Sequence, residues 1–266
     1  AEHYALSLWN HGWSWRPGMS MYDETNNDTL DQDELEAVLY EVGPIEVIMY
    51  DACQMATIEN QATVRAYSQA IVASQEWVNW DGIEYELVIP ALQVDPGMSA
   101  AELAVTINYS TSTGKERTYS AVALDRRWDA LAAAVDDWAY ALEAGLPEHR
   151  YQYAGAFHGA QTFWGDPTAR DLYDVASRVY QRVDDPAIQQ ASLAVMAAVE
   201  GAVLDEWHVK HYAYAHGISI FLPLKVDDLD DPSTLEWNEF EYYRTELAFG
   251  RLSHWDEFIA AYLGVP

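Results

Sequence analysis

The chain has 266 residues, half of them hydrophobic, and 43 acidic against 14 basic side chains give it a formal net charge of −29. Length and apolar fraction suit one large α/β domain, while the charge excludes nucleic-acid binding or docking on anionic membranes through the overall field. No apolar run reaches the roughly 18 residues of a membrane span, and a single cysteine, Cys53, excludes an intrachain disulfide or a cysteine-rich zinc site.

In chain order, residues 4–9 read as a strand ending at Asn10-His11-Gly12, and 13–30 read as a long polar loop. Asp31 to Val42 reads as a helix with Leu30, Leu35, Val38, Leu39 and Val42 on one face, stopped by Gly43-Pro44. The apolar run 45–50 has the character of a buried parallel strand and leads straight into Asp51-Ala52-Cys53. A helix over 55–67, a short buried strand at 70–73 and helices near 83–92 and 99–112 follow. A strand is expected at 118–124, with Asp125 as the N-cap of a long amphipathic helix carrying Leu131, Val135, Trp138 and Leu142. Helices near 169–182 and 187–205, a buried strand at 216–223 closed by Pro223, an acidic loop at 227–233 and helices near 236–247 and 254–263 complete the chain. This alternation implies an α/β fold with a mostly parallel central sheet covered on both faces, a three-layer α/β/α sandwich. The whole chain, 1–266, reads as a single domain, whose second part, 126–266, is mainly helical with one returning strand near 217–222.

Active sites of open α/β sheets lie at the carboxyl ends of strands. Two such ends carry reactive side chains here, His11 and Cys53, the imidazole and thiol that a cysteine nucleophile requires. One helix separates them, a crossover that can make their strands neighbours. The helix expected after Cys53 would favour the thiolate through its positive N-terminus. Taken singly, either residue has a bland reading as a buried small hydrophobe or a strand-end histidine; the pairing is what points to chemistry.

The flanking residues carry a resemblance. Leu8-Trp9-Asn10-His11-Gly12-Trp13, and Ile48-Met49-Tyr50-Asp51-Ala52-Cys53-Gln54-Met55 with Glu59 beyond, resemble the two signature segments of clostripain-family cysteine peptidases, which group with caspases, legumains and gingipains. Ala73-Ser74-Gln75-Glu76 with Asp81-Gly82, Thr118–Asp125, Asp171-Leu172-Tyr173-Asp174 and Gly217–Pro223 are similar to later segments of that family. The resemblance implies a caspase-like fold and hydrolysis of protein or peptide substrates after a basic residue, arginine before lysine. It implies a His11–Cys53 dyad, a thioacyl-enzyme intermediate, and an oxyanion hole built from the backbone N–H groups of Gly12 and Cys53. It also places Asp51 and Asp81 in the pocket for the residue before the scissile bond. A carboxylate pair suits an arginine guanidinium, which it can bind in a bidentate manner. The alternatives stay open: Asp51 as a cap of the following helix, and Asp81 as a turn residue before Gly82.

The chain lacks a strand and helix that the family carries ahead of the His segment, so a separate N-terminal segment or chain of the same precursor is an expected partner, and an activating cut is expected upstream of Ala1. Relatives commonly cut themselves after Lys or Arg between His and Cys. Here no basic residue lies between Arg16 and Arg65, and Arg16 precedes Pro17. The chemistry needs no cofactor, but calcium is a possible structural or activating ion. Asp23, Glu24, Asn26, Asn27, Asp28, Asp31, Asp33 and Glu34, and the run Asp227-Asp228-Leu229-Asp230-Asp231, offer hard oxygen donors. A solvated acidic loop accounts for them equally, and no metal ligand set is assigned.

No H-E-x-x-H accompanies His208, His211 and His216, which argues against a catalytic metal. Trp9, Trp13, Trp15, Trp77 and Trp80 flank the expected crevice and could wall a peptide groove. They equally fit a non-catalytic secreted protein binding peptide or carbohydrate on the same fold. Acidic residues spread along the whole length with only three lysines fit an extracellular or cell-surface protein, or a salt-adapted one.

Overall fold

A computed structural model describes residues 3–18, 20–112, 117–230 and 238–266. Its sheet is built from residues whose alternate side chains go to opposite faces. In Ile45–Asp51 (β2), Val47 and Met49 join one core while Ile48 and Tyr50 join the other. Ser68–Ala73 (β3) divides in the same way, Ala70 and Val72 against Ile71 and Ala73. Both faces are covered, so the runs 47–50 and 70–73 are apolar without alternation.

Ala5–Trp9 (β1), β2 and β3 pair in parallel, Thr118–Ala123 (β4) runs against β3, and Val203–His208 (β6) runs against β4. The order is β1-β2-β3-β4-β6, with four strands in one direction and β4 against them. Ala169–Asp171 (β5) and Ser219–Phe221 (β7) form a separate antiparallel ribbon. Gln32–Val42 (α1), Ile58–Val64 (α2) and Arg126–Gly159 (α5) lie on one face of the sheet. Tyr85–Val94 (α3) and Ala100–Ser112 (α4) cover the other through Val88, Ala104 and Ile107. Leu172–Arg182 (α6), Pro186–Ala202 (α7), Glu239–Thr245 (α8), Ala248–Leu252 (α9) and Trp255–Leu263 (α10) enlarge the first core. The architecture is the expected three-layer α/β/α sandwich.

Several boundaries differ from the sequence reading. The helix expected over 187–205 ends at Ala202, and 203–208 is the outermost strand of the central sheet. Residues 169–171 are strand before α6 begins. The strand near 217–222 is real but pairs with β5 rather than with the main sheet, so among the described residues the second part of the chain carries three strands and not one. On α1, Leu35 and Leu39 are buried while Val38 and Val42 are exposed. Asp231 and the first residues of the helix expected near 236 lie outside the described residues.

Asp125 caps α5 as expected, accepting from the Arg127 N–H at 2.8 Å. Glu59, from the resemblance segment, is fully buried on α2 and ties three elements together. Its Oε1 accepts from the Phe221 N–H and the Tyr243 hydroxyl, each at 3.0 Å. Its Oε2 is buried without a partner, and burial pushes the carboxyl pKa up to about 7.

Candidate active site

The parallel register sets Trp9 opposite Asp51. His11 and Cys53 each follow two residues later, so both leave the sheet at the same level. They share a cavity of about 250 Å³ with Trp9, Tyr22, Glu24, Asp51 and Trp80. A second cavity, of about 490 Å³, shares His11, Tyr22 and Cys53 with the first and extends to Gly12, Trp13, Gln54 and Trp77.

Gly12 is required by a close approach of backbones. A Cβ there would collide with the Cys53 carbonyl oxygen and lie 3.0 Å from the Cys53 nitrogen. The two expected oxyanion donors therefore belong to segments in direct contact. The Cys53 Sγ is half-buried and accepts from the Val78 N–H at 3.4 Å. The next residue, Gln54, has φ 60, a left-handed conformation held in place by its own N–H donating to the Glu76 carbonyl at 3.1 Å. The helix expected directly after Cys53 starts later: Thr57 caps α2 and Ile58 is its first residue. A helix dipole acts within its first turn, so the thiol does not owe its reactivity to α2.

His11 is exposed. Its N–H donates to Asn10 Oδ1 at 2.6 Å, and its carbonyl accepts from Met21 at 3.0 Å. Its ring lies 6.3 Å from that of Trp80. Among the described residues no side chain hydrogen-bonds the imidazole, so no third group orients it.

Asp51 lies beneath the cavity, 3 % exposed. Its Oδ2 accepts from the Ile83 N–H and the Tyr85 hydroxyl, each at 3.1 Å, while Oδ1 is buried without a partner. Burial raises its pKa against those two hydrogen bonds. Gly82, at φ 67, packs on the carboxylate so closely that a Cβ would lie 2.6 Å from Oδ2. Thr57 does the capping, so Asp51 is not a helix cap. Asp81 is exposed and is not among the residues lining the cavity. The carboxylate that accompanies Asp51 there is Glu24.

The clostripain family model matches residues 1–262. The chain belongs to the clostripain family. It is therefore a cysteine peptidase, with peptides or proteins as substrates. No curated protein matches it. A secreted C11 cysteine protease from Bacteroides thetaiotaomicron, solved with an irreversible peptide inhibitor, is 18% identical with a TM-score of 0.67, over 96% of this chain and 73% of that one. An inactive zymogen C11 protease from Parabacteroides distasonis is 20% identical with a TM-score of 0.64, over 95% and 71%. A B. thetaiotaomicron clostripain bound to the inhibitor BTN-VLTK-AOMK is 14% identical with a TM-score of 0.61, over 87% and 98%. At these identities the likeness shows a shared caspase-like fold.

Other expected features of this clostripain-family chain are dispersed. Asp23 is occupied locally, accepting from Asn26 and Thr25, and Asp31 accepts from the Gly18 N–H at 2.8 Å. Asp228 accepts from the Leu224 and Lys225 N–H groups. Among the described residues no three His, Cys, Asp or Glu side chains form a group that could hold a metal ion. His208 pairs with Glu206 and His216 with Asp171, each at 3.0 Å. Trp15 is not at the crevice but in the core, 5.0 Å from Phe221. The contributions of Tyr22 and Glu24 carried no sequence signal beyond their place in the loop that follows the His strand.

Proposed function

We propose that the chain is an endopeptidase cleaving after arginine, and less readily after lysine, through a Cys53–His11 dyad. One observation carries this reading: a single cavity has His11 and Cys53 on its wall and a buried, half-partnered carboxylate, Asp51, beneath it.

His11 takes the Cys53 proton, and the thiolate forms a bond to the scissile carbonyl carbon. The resulting oxyanion is stabilised by the backbone N–H groups of Gly12 and Cys53. Collapse breaks the C–N bond as His11 passes its proton to the leaving amine. Water, deprotonated by His11, then attacks the thioester, releasing the acid and restoring the thiol. No step draws on a cofactor.

The negative charge of Asp51 attracts a guanidinium into the cavity, and Glu24 adds a second carboxylate to it. Lysine brings a point charge and makes a poorer match. We assign Asp81 no direct contact. Two neighbours were solved with peptide inhibitors, one of which, VLTK, ends in lysine. The secreted neighbour favours an extracellular setting, which suits so acidic a surface. A zymogen among the neighbours favours activation from a precursor. Arg16, the basic residue nearest the His segment, is buried among Glu239, Thr168 and Asp166, so a self-inflicted cut there is not expected.

The test is turnover of fluorogenic peptides with Arg, Lys, Asp, Asn or Leu before the reporter, with reductant, with and without calcium, beside Cys53→Ala. Cleavage confined to Arg and Lys and lost in Cys53→Ala is expected. Cleavage after Leu or Asn, or turnover surviving in the variant, contradicts the reading; a mere binding protein would keep its ligand affinity without Cys53.

A further inference from the structure

The second cavity plays no part in the chemistry above. Its walls are Gly12, Trp13 and Trp77, with His11, Tyr22 and Cys53 along the edge it shares with the acidic cavity. It has about 490 Å³, room for an aromatic side chain, and no acidic or basic side chain lines it apart from His11.

Two of its aromatic walls, Trp77 and Tyr22, are held by side-chain contacts, and Trp13 is anchored through its backbone. Trp77 is 42 % exposed yet packed edge-on against Trp164 at 5.7 Å, with the Arg117 guanidinium 6.0 Å from its ring. Glycine at 165 leaves space for the Trp77 indole where any Cβ would collide with Nε1. The Trp13 N–H donates to Ser20 Oγ at 3.1 Å, and the Tyr22 hydroxyl to Asn27 Oδ1 at 2.9 Å. Pre-ordered aromatic surface binds apolar groups at a small entropic cost.

Position decides the occupant. The scissile carbonyl must lie against Cys53 Sγ, and the residue before the bond fills the cavity over Asp51. The residue after the bond then continues on the far side of Cys53, toward Gly12 and Trp13. His11 stands between the cavities, where the nitrogen of that residue receives its proton. We infer that the Trp13–Tyr22–Trp77 cavity is the leaving-group subsite and selects a large apolar or aromatic residue immediately after the cleaved arginine. This inference rests on the arginine-directed peptidase reading.

The test is kcat/KM for internally quenched peptides identical except for the residue after arginine: Phe, Trp, Leu, Ala, Gly or Asp. Phe, Trp and Leu should exceed Gly by about 10- to 100-fold, the gain from burying one large apolar side chain. Trp77→Ala should collapse the Phe-to-Gly ratio toward one, and Trp77→Phe should restore most of it. Being internal to each variant, the ratio is insensitive to the fraction of active protein. Arginine-dependent cleavage with a flat profile overturns this inference alone. A preference that follows the residue before arginine places the cavity on the other side and also overturns it. No cleavage of any arginine peptide overturns the peptidase reading and this inference together.

Discussion

Cys53→Ala and His11→Ala should each abolish peptide turnover while circular dichroism and Tm stay near those of the parent, because both side chains leave the sheet at strand ends rather than filling the core. Asp51→Asn keeps the shape of the cavity and removes the Asp51 charge, leaving that of Glu24. Losing one charged hydrogen bond costs on the order of 1.5–3 kcal/mol, so kcat/KM for arginine substrates should fall about 10- to 150-fold. Normal cleavage by that variant would contradict the pocket assignment. Burial raises the Asp51 pKa, so the charge that attracts arginine is lost at a higher pH than for an ordinary aspartate. KM for arginine peptides should therefore climb as the solution is acidified, and the climb should be absent in Asp51→Asn. That His11, Cys53 and Asp51 line one cavity was legible because the strand ends fix their level. Glu24 and Tyr22 were not: they stand in the loop of 13–30, where no periodicity says which side chain turns inward. The path of the loop, which its composition does not reveal, packs Gly82 on the Asp51 carboxylate and leaves Asp81 exposed beside it.

The elements show where pattern stops being informative. The one breaker where α7 meets β6 is Gly201, which the helix itself contains, and apolar Ala202-Val203-Leu204 follows, so a helical reading ran on through 203–205. Only pairing with β4 makes 203–208 a strand. The Cys53 segment shows the converse error: its apolar residues suggested immediate helix, but Gln54 at φ 60 turns the chain away until Thr57 can cap. The contact between the two signature segments gives a sharp test. Gly12→Ala should lose nearly all activity, because the added Cβ must push the Cys53 carbonyl away; an active Gly12→Ala enzyme would show that this backbone contact is dispensable. On α2, Glu59 has its folded pKa raised from 4.5 to about 7. The folded state thus holds a proton that the unfolded chain releases above about pH 4.5, so stability from this group is present at low pH and lost as pH rises toward 7. The loss is on the order of 3 kcal/mol. Glu59→Gln should flatten that part of the stability–pH curve, measured by denaturant unfolding from pH 4.5 to 8; an unchanged slope would contradict it.

Over the whole molecule, the three-layer architecture followed from strand–helix alternation and from β2 and β3 reading as apolar throughout, whereas the separate β5–β7 ribbon did not, since strands of three residues leave almost no pattern. A net charge of −29 repels itself in the folded state. Raising NaCl from about 10 mM to about 0.5 M shortens the screening length from about 30 Å to a few ångströms and should raise Tm by at least about 3 °C, the shift from ~1 kcal/mol in a domain of this size. A flat or falling Tm would show that the acidic surface carries no such strain. Covalent labelling tests the joint role of thiol and carboxylate most directly. The protein is incubated with otherwise identical peptide acyloxymethyl ketones ending in arginine or in leucine, and the adduct is located by mass spectrometry. The expected result is one adduct, on Cys53, formed rapidly with the arginine peptide and slowly with the leucine peptide, with the difference lost in Asp51→Asn. Equal labelling by both peptides, or an adduct on any residue other than Cys53, would contradict it.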